Sequence, residues 1–269
     1  MRPAPAFAPR PLAFNATCLY IAAYLLTIMV HELGHALLSA GLGGRPILYS
    51  TSVVNANDAA LSATAHVLIA AAGPLVSLLQ GLALLQLVRR SRVAGAGRLL
   101  ALYLGVFGVI NFLGYLVIAP FVAGGDTGQI MRILRVPAGV QWAVAAAALV
   151  VLIVVVRRTA GLFLSTLPAG VQADPTARTG ALRALILWPW LLGSVVLVLL
   201  ALPAPHPAVV ANMFMSPMAL RGAYAAGQRL PVVAPRPSSG ALLRSQWLLL
   251  AAGLGLAGAF RLLGQGVAW

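Results

Sequence analysis

The sequence predicts an all-α fold, a polytopic bundle of about six transmembrane helices, and three observations carry that prediction. Of the 269 residues, 61% are hydrophobic and 8% charged, against about a quarter charged in an ordinary soluble domain. The mean hydropathy is +0.96, and apolar runs recur near the roughly 20 residues that one bilayer crossing needs. All 18 basic residues are arginine, scattered over connections where they act as interfacial anchors and topology signals.

Six runs are predicted as spans, at roughly 14–42, 61–88, 98–119, 138–156, 184–202 and 246–264. The first run is read as a retained helix, because only a short Pro-rich stretch precedes it and no small-residue cleavage site follows it. "RRSRVAGAGR" links the second and third runs. "PFVAGGDTGQIMRILRVP" after the third is too broken by Pro and Gly for plain helix. Residues 157–183 are polar enough for a loop or an interfacial helix. Residues 203–245, with "PAPHPAVV" and "PVVAPRPSSG", are expected to form a Pro-rich loop outside the hydrocarbon. His206, between prolines there, is expected to be solvated, and Met213, Met215 and Met218 to form an apolar interfacial patch.

Composition and context exclude several functions. The net charge of +14 comes without a basic stripe interleaved with aromatics, so nucleic acid is not the partner; the lipid bilayer is. One cysteine, Cys18, excludes an internal disulfide framework and a cysteine metal knuckle. "GLGLAG" at 253–258 has the spacing of a dinucleotide-binding loop but no strand or βαβ unit around it. Its glycines are expected to let helices approach closely.

The chemistry concentrates in "HELGH". His31 and His35 are four residues apart, so they project from one helical face about 6 Å apart along the axis. Two imidazoles so placed can share one zinc ion, with Glu32 beside them as general base for water. A glutamate in a membrane-length apolar run is costly and marks function. The whole chain has four acidic residues and four histidines, and three of them lie in this pentapeptide.

A catalytic zinc takes three protein ligands and keeps one position open. Glu32 is the chain's one glutamate, so no second one can serve. Leu38 and Gly41 break the longer three-histidine pattern. Cys18 lies 13 residues before His31 on the same helix, roughly 20 Å away. Asp58, His66, Asp126, Asp174 and His206 remain as candidates.

"HELGHALLSAGLGG" at 31–44, "AAGPLVSLL" at 71–79 and "GGDTGQI" at 124–130 together resemble the site-2 protease family of intramembrane zinc metalloproteases, over residues 14–135. The resemblance implies a three-helix core in which Asp126 is the third ligand and Glu32 the catalytic base. It implies one zinc ion and, as substrate, a transmembrane segment of another protein, unwound as it enters the site. The departures are Thr127 where the family usually has Gly, Pro120 one residue further from the aspartate than usual, Ser77 where Asn is common, and Asn111 too far upstream of the family asparagine. No regulatory domain of the kind often attached to such cores is visible.

Helix geometry points the same way. Three antiparallel spans bring the ends of the first and third to one side of the membrane, and His31 lies roughly 16 Å below that surface. Pro120 and Gly124-Gly125 allow irregular backbone to turn inward there, which is tolerated where it lines a cavity. Asp126 could otherwise be a helix cap. His66 competes as a ligand given the right helix rotation, while Asp58 in "NANDAA" suits a turn or cap. Gly73-Pro74 is expected either to open a path beside the metal or to allow close packing.

The sequence thus divides into a metalloprotease core, 1–135, and further transmembrane helices, 136–269. The expected activity is zinc-dependent hydrolysis of peptide bonds in or next to transmembrane segments, by an integral multi-pass protein of a bacterial cell membrane. The rival reading is a non-proteolytic membrane protein that keeps the site for scaffolding or transport; Glu32 favours the enzyme, since such a site needs no base. Orientation is not chosen by the arginines. The 89–98 connection carries four, but Arg45, Arg132 and Arg135 near the other end offset them.

Overall fold

A computed structural model gives the placement of residues 9–90, 94–203, 207–234, 242 and 246–269. His206 and most of "PVVAPRPSSG" lie outside these residues. Helix α1 (Pro9–Gly41) begins with prolines in its first turn, where a missing N–H costs nothing. It stops before Gly43, whose φ of +84° suits glycine. There follow strands β1 (Pro46–Leu48) and β2 (Val53–Asn55), then the helices α2 (Ala63–Arg90), α3 (Gly95–Ile118), α4 (Asp126–Ile133) and α5 (Ala138–Arg158). The short helices α6 (Ala160–Leu164), α7 (Ala169–Ala173) and α8 (Pro175–Leu182) lead through two π-helical turns to α9 (Ser194–Ala201). The chain continues with α10 (Pro207–Met215), a 3₁₀ turn at Ser216–Ala219, α11 (Leu220–Arg229), α12 (Trp247–Leu263) and β3 (Val267–Ala268).

Five helical stretches are long and apolar enough to cross a membrane: Pro9–Gly41, Ala63–Arg90, Gly95–Ile118, Ala138–Leu164 and Pro175–Ala201. This is a multi-pass membrane protein with a helical bundle. The sixth expected span corresponds to α12, which has 17 residues and is shorter than the others.

The bundle is all-α apart from one small sheet, in which β1 pairs antiparallel with β2 (Ile47 opposite Val54) and, on its other side, with β3 (Ile47 opposite Ala268). Strands of two or three residues are too short to display a period-2 pattern. One expectation needs correction: 203–245 is not simply a loop, since α10, the 3₁₀ turn and α11 occupy 207–229. Pro207 and Pro217 stand at helix starts, where proline is tolerated.

Helices α1, α2 and α3 make the centre of the bundle. A side chain at Gly108 would overlap the Ser77 carbonyl, and one at Gly81 would come within 2.7 Å of the Val109 nitrogen. The α2 and α3 backbones therefore cross in contact, as small residues allow. Tyr20, Tyr103 and Phe107 fill the core beside them, Tyr20 meeting Phe107 edge-on at 5.0 Å between ring centres.

Long-range bonds distinguish the two ends of the bundle. At the end where α1 begins, Arg98 donates to the Val88 carbonyl (2.7 Å) and to Ser165 Oγ (3.0 Å). There too Asn15 donates to the Leu242 carbonyl (3.1 Å) and accepts from the Gln246 N–H (3.0 Å). At the end where α1 finishes, the sheet joins β1 to β3, and Arg261 donates to the Leu200 carbonyl (3.1 Å). Beyond α11 the chain is back at the first end, where Arg178 donates to the Leu230 carbonyl (2.6 Å) and the Val233 N–H to Gln172 Oε1 (2.9 Å). Residues 207–229 therefore carry the chain from one end of the bundle to the other.

Candidate metal centre

The four-residue spacing on α1 brings the rings of His31 and His35 together edge-on, 4.7 Å between centres, with their Nε2 atoms 3.1 Å apart. Asp126 supplies the third group. Its Oδ2 lies 3.0 Å from His31 Nε2 and 3.3 Å from His35 Nε2. Each residue contributes one ligand atom, and the three atoms converge closely enough to hold a metal ion.

The opposing helix α2 sets the direction of both rings. Ile69, Gly73 and Ser77 are spaced by four and form one stripe along α2, antiparallel to the stripe of His31 and His35. His31 Nδ1 meets Ser77 Oγ at 3.1 Å, and His35 Nδ1–H donates to the Ile69 carbonyl at 2.6 Å. Gly73 leaves room for the His35 ring, because a Cβ there would overlap Nε2. Of the two readings of Gly73-Pro74, the structure takes close packing: α2 continues through Pro74, which is buried.

A carbonyl only accepts, so Ile69 fixes the proton of His35 on Nδ1 and leaves Nε2 as a bare lone pair. That lone pair faces His31 Nε2 and a carboxylate oxygen. Such a cluster of electron-rich atoms suits a cation, and Nδ1 partners of this kind usually fix the rings of metal-binding histidines.

Asp126 reaches the cluster through the break seen in the sequence. The chain leaves α3 in tight turns at 119–125, and Asp126 is the first residue of α4, with Gly125 in the cap position. The aspartate side chain does not cap its helix; it turns to the histidines. The Tyr115 ring stacks on His31, 5.2 Å between centres and 7° from parallel.

The other candidates lie apart from the three ligand atoms. Asp58 opens a 3₁₀ turn, and its carboxylate is 3.8 Å from His66 Nδ1. Asp174 caps α8, accepting the N–H groups of Thr176 and Ala177 at 2.8 and 3.1 Å. Cys18 is buried and free. Asn111 is buried in α3, its Oδ1 without a hydrogen-bond partner among the described residues.

Glu32 is buried on α1 and borders two cavities. One, of about 460 Å³, is lined with polar groups including Ser52, Asn55, Asp58, His66 and Gln129, together with His35 and Asp126. The other, of about 580 Å³, is more apolar and runs past Tyr24, Ile28, Tyr115 and Val122 to Asn212 and Met213 of α10. The centre thus has a polar side and an apolar side, with the glutamate on both.

Sequence reasoning missed Tyr115, the second role of α2 and everything α10 contributes. A sharper reading was available for Ser77, since Gly73 and Ser77 share the four-residue spacing of the histidines they oppose. Family models, curated proteins and solved structures were each compared with this chain, and none matches.

Proposed function

We propose that the protein is an intramembrane zinc metalloprotease of the site-2 protease kind, with Glu32 as its base. The convergence of His31 Nε2, His35 Nε2 and Asp126 Oδ2 beside a buried glutamate carries this reading. Their separations of 3.0, 3.1 and 3.3 Å are near the roughly 3.3 Å that ligands about 2.0–2.1 Å from a tetrahedral zinc would have. Two nitrogens and one carboxylate oxygen are also a donor set that suits zinc and leaves a fourth position open.

Bound there, zinc would supply Lewis acidity for a scissile carbonyl and for water. The remaining work belongs to the chain. Glu32 takes the proton of the attacking water and delivers it to the departing amine nitrogen. Ser77 and the Ile69 carbonyl hold the histidines in orientation. Water comes from the polar cavity, and the apolar cavity receives the membrane segment to be cut. β2 is an edge strand whose residues border the polar cavity, so an extended peptide can lie against it.

The test is Glu32→Gln compared with Asp126→Ala. Glu32→Gln is expected to retain zinc while hydrolysis of a membrane-embedded peptide falls by about 10³-fold or more, within the range for loss of a general base. Asp126→Ala should lose the metal, whereas Asp58→Ala and His66→Ala should keep it. Wild-type cleavage by Glu32→Gln would sink the mechanism. Full zinc in Asp126→Ala with loss in His66→Ala would sink the ligand set.

A further inference from the structure

Asn212, on α10, borders three spaces at once. It lines the apolar cavity that reaches Glu32. It lines a void of about 10 Å³ shared with Asn111 and Ser216. It also lines a groove of about 670 Å³ walled by α3, α5 and residues 211–222. The groove and the Glu32 cavity adjoin, with Ile118, Val122 and Asn212 lining both. Leu149, Ile153 and Met215 in the groove wall are exposed, which opens it on the lipid-facing side of α5.

A membrane segment drawn into this path in extended form bares its peptide N–H and C=O groups, which hydrocarbon cannot satisfy. Where groove and cavity meet, Asn212 is the polar side chain common to both. The Ser216 hydroxyl donates to Asn212 Oδ1, and among the described residues the amide hydrogens on Nδ2 have no partner. The chain is interrupted here, α10 passing into a 3₁₀ turn that contains Pro217. A broken helix of this sort is tolerated where it lines a cavity.

Resting on the proteolysis reading, we propose that Asn212 is a substrate-positioning residue. Its carboxamide bonds the backbone of the transmembrane segment as that segment passes from the lipid-facing groove toward the metal centre. Residues 207–229 then form the substrate-side wall of the site. The bond is made to substrate before any chemistry, in a cavity whose lining does not include the three ligand residues, so it contributes to KM and not to kcat.

Two probes test this: a synthetic single-span peptide of leucine and alanine with a central Gly-Pro break, in phosphatidylcholine proteoliposomes, and a short water-soluble peptide. Asn212→Leu should raise KM for the membrane peptide about tenfold, the worth of one hydrogen bond to a peptide group. Its kcat should stay within about twofold. The soluble peptide, which arrives through the polar cavity, should be unaffected. Asn212→Gln should recover part of the loss, and Ser216→Ala should behave as wild type. Gly114→Leu places bulk in the groove, where a Cβ meets nothing nearer than Ser216 Oγ at 3.9 Å, and should also raise KM for the membrane peptide alone. A wild-type KM in Asn212→Leu overturns the proposal, as does an equal loss on both peptides or the same defect in Ser216→Ala. If the wild-type protein cleaves neither probe, the proteolysis reading itself fails and takes this role with it.

Discussion

Two glycine-bearing helices in this molecule look alike on paper and behave as opposites. In α2, a side chain added at Gly73 would overlap a nitrogen of the candidate metal centre, and one at Gly81 would press on the backbone of α3. In α12, Cβ atoms added at Gly253, Gly255 and Gly258 would meet nothing within 4 Å. The expectation that "GLGLAG" lets helices approach closely is therefore not met. A small residue makes close packing possible; whether it is used depends on what stands opposite. In α2 the opposing element is the histidine stripe of α1. α12 buries little beyond Ala257 and Phe260, and its glycines face open space.

Substitutions that add or remove a few atoms sharpen this contrast. The largest effect is expected from Gly73→Ala, which must displace the His35 ring. Metal affinity should fall by about 100-fold or more, the upper part of the range seen when support around a ligand is lost. Equilibrium dialysis against a zinc buffer would measure it, and an unchanged affinity would break the claim that α2 shapes the centre. Ser77→Ala comes next. It removes the partner of His31 Nδ1 and leaves the ring in place, so affinity should drop by about tenfold. Smallest is Gly255→Ala in α12, where a better helix former enters empty space. Metal binding should not change, and stability should rise by no more than about 1 kcal/mol, read as a small upward shift of the thermal midpoint in detergent. A large destabilisation there would mean that those glycines face a partner after all.

How much of the site could be read in the sequence depended on distance along the chain. The pairing of His31 with His35 needs only the pitch of one helix, and it was legible. The link to Asp126 spans 95 residues, yet Pro120 and Gly124-Gly125 announced a break at the right membrane side. The links from Ser77 and the Ile69 carbonyl were hidden, because they depend on how α2 is rotated and shifted against α1. Still less visible was the passage 207–229, whose prolines and polar residues read as a loop outside the membrane. In the fold they interrupt a helical passage along the cavities.

By itself the sequence determined the membrane class, five of the helices and the side chains capable of metal chemistry. Those follow from hydropathy and helix periodicity, which act over a few turns of chain. Tertiary structure alone decided which helix orients the two histidines and fixes the tautomer of His35, and that α10 closes the apolar side of the site. These are matters of helix rotation, register and crossing. They are set by the packing of surfaces far apart in sequence, and no local pattern encodes them.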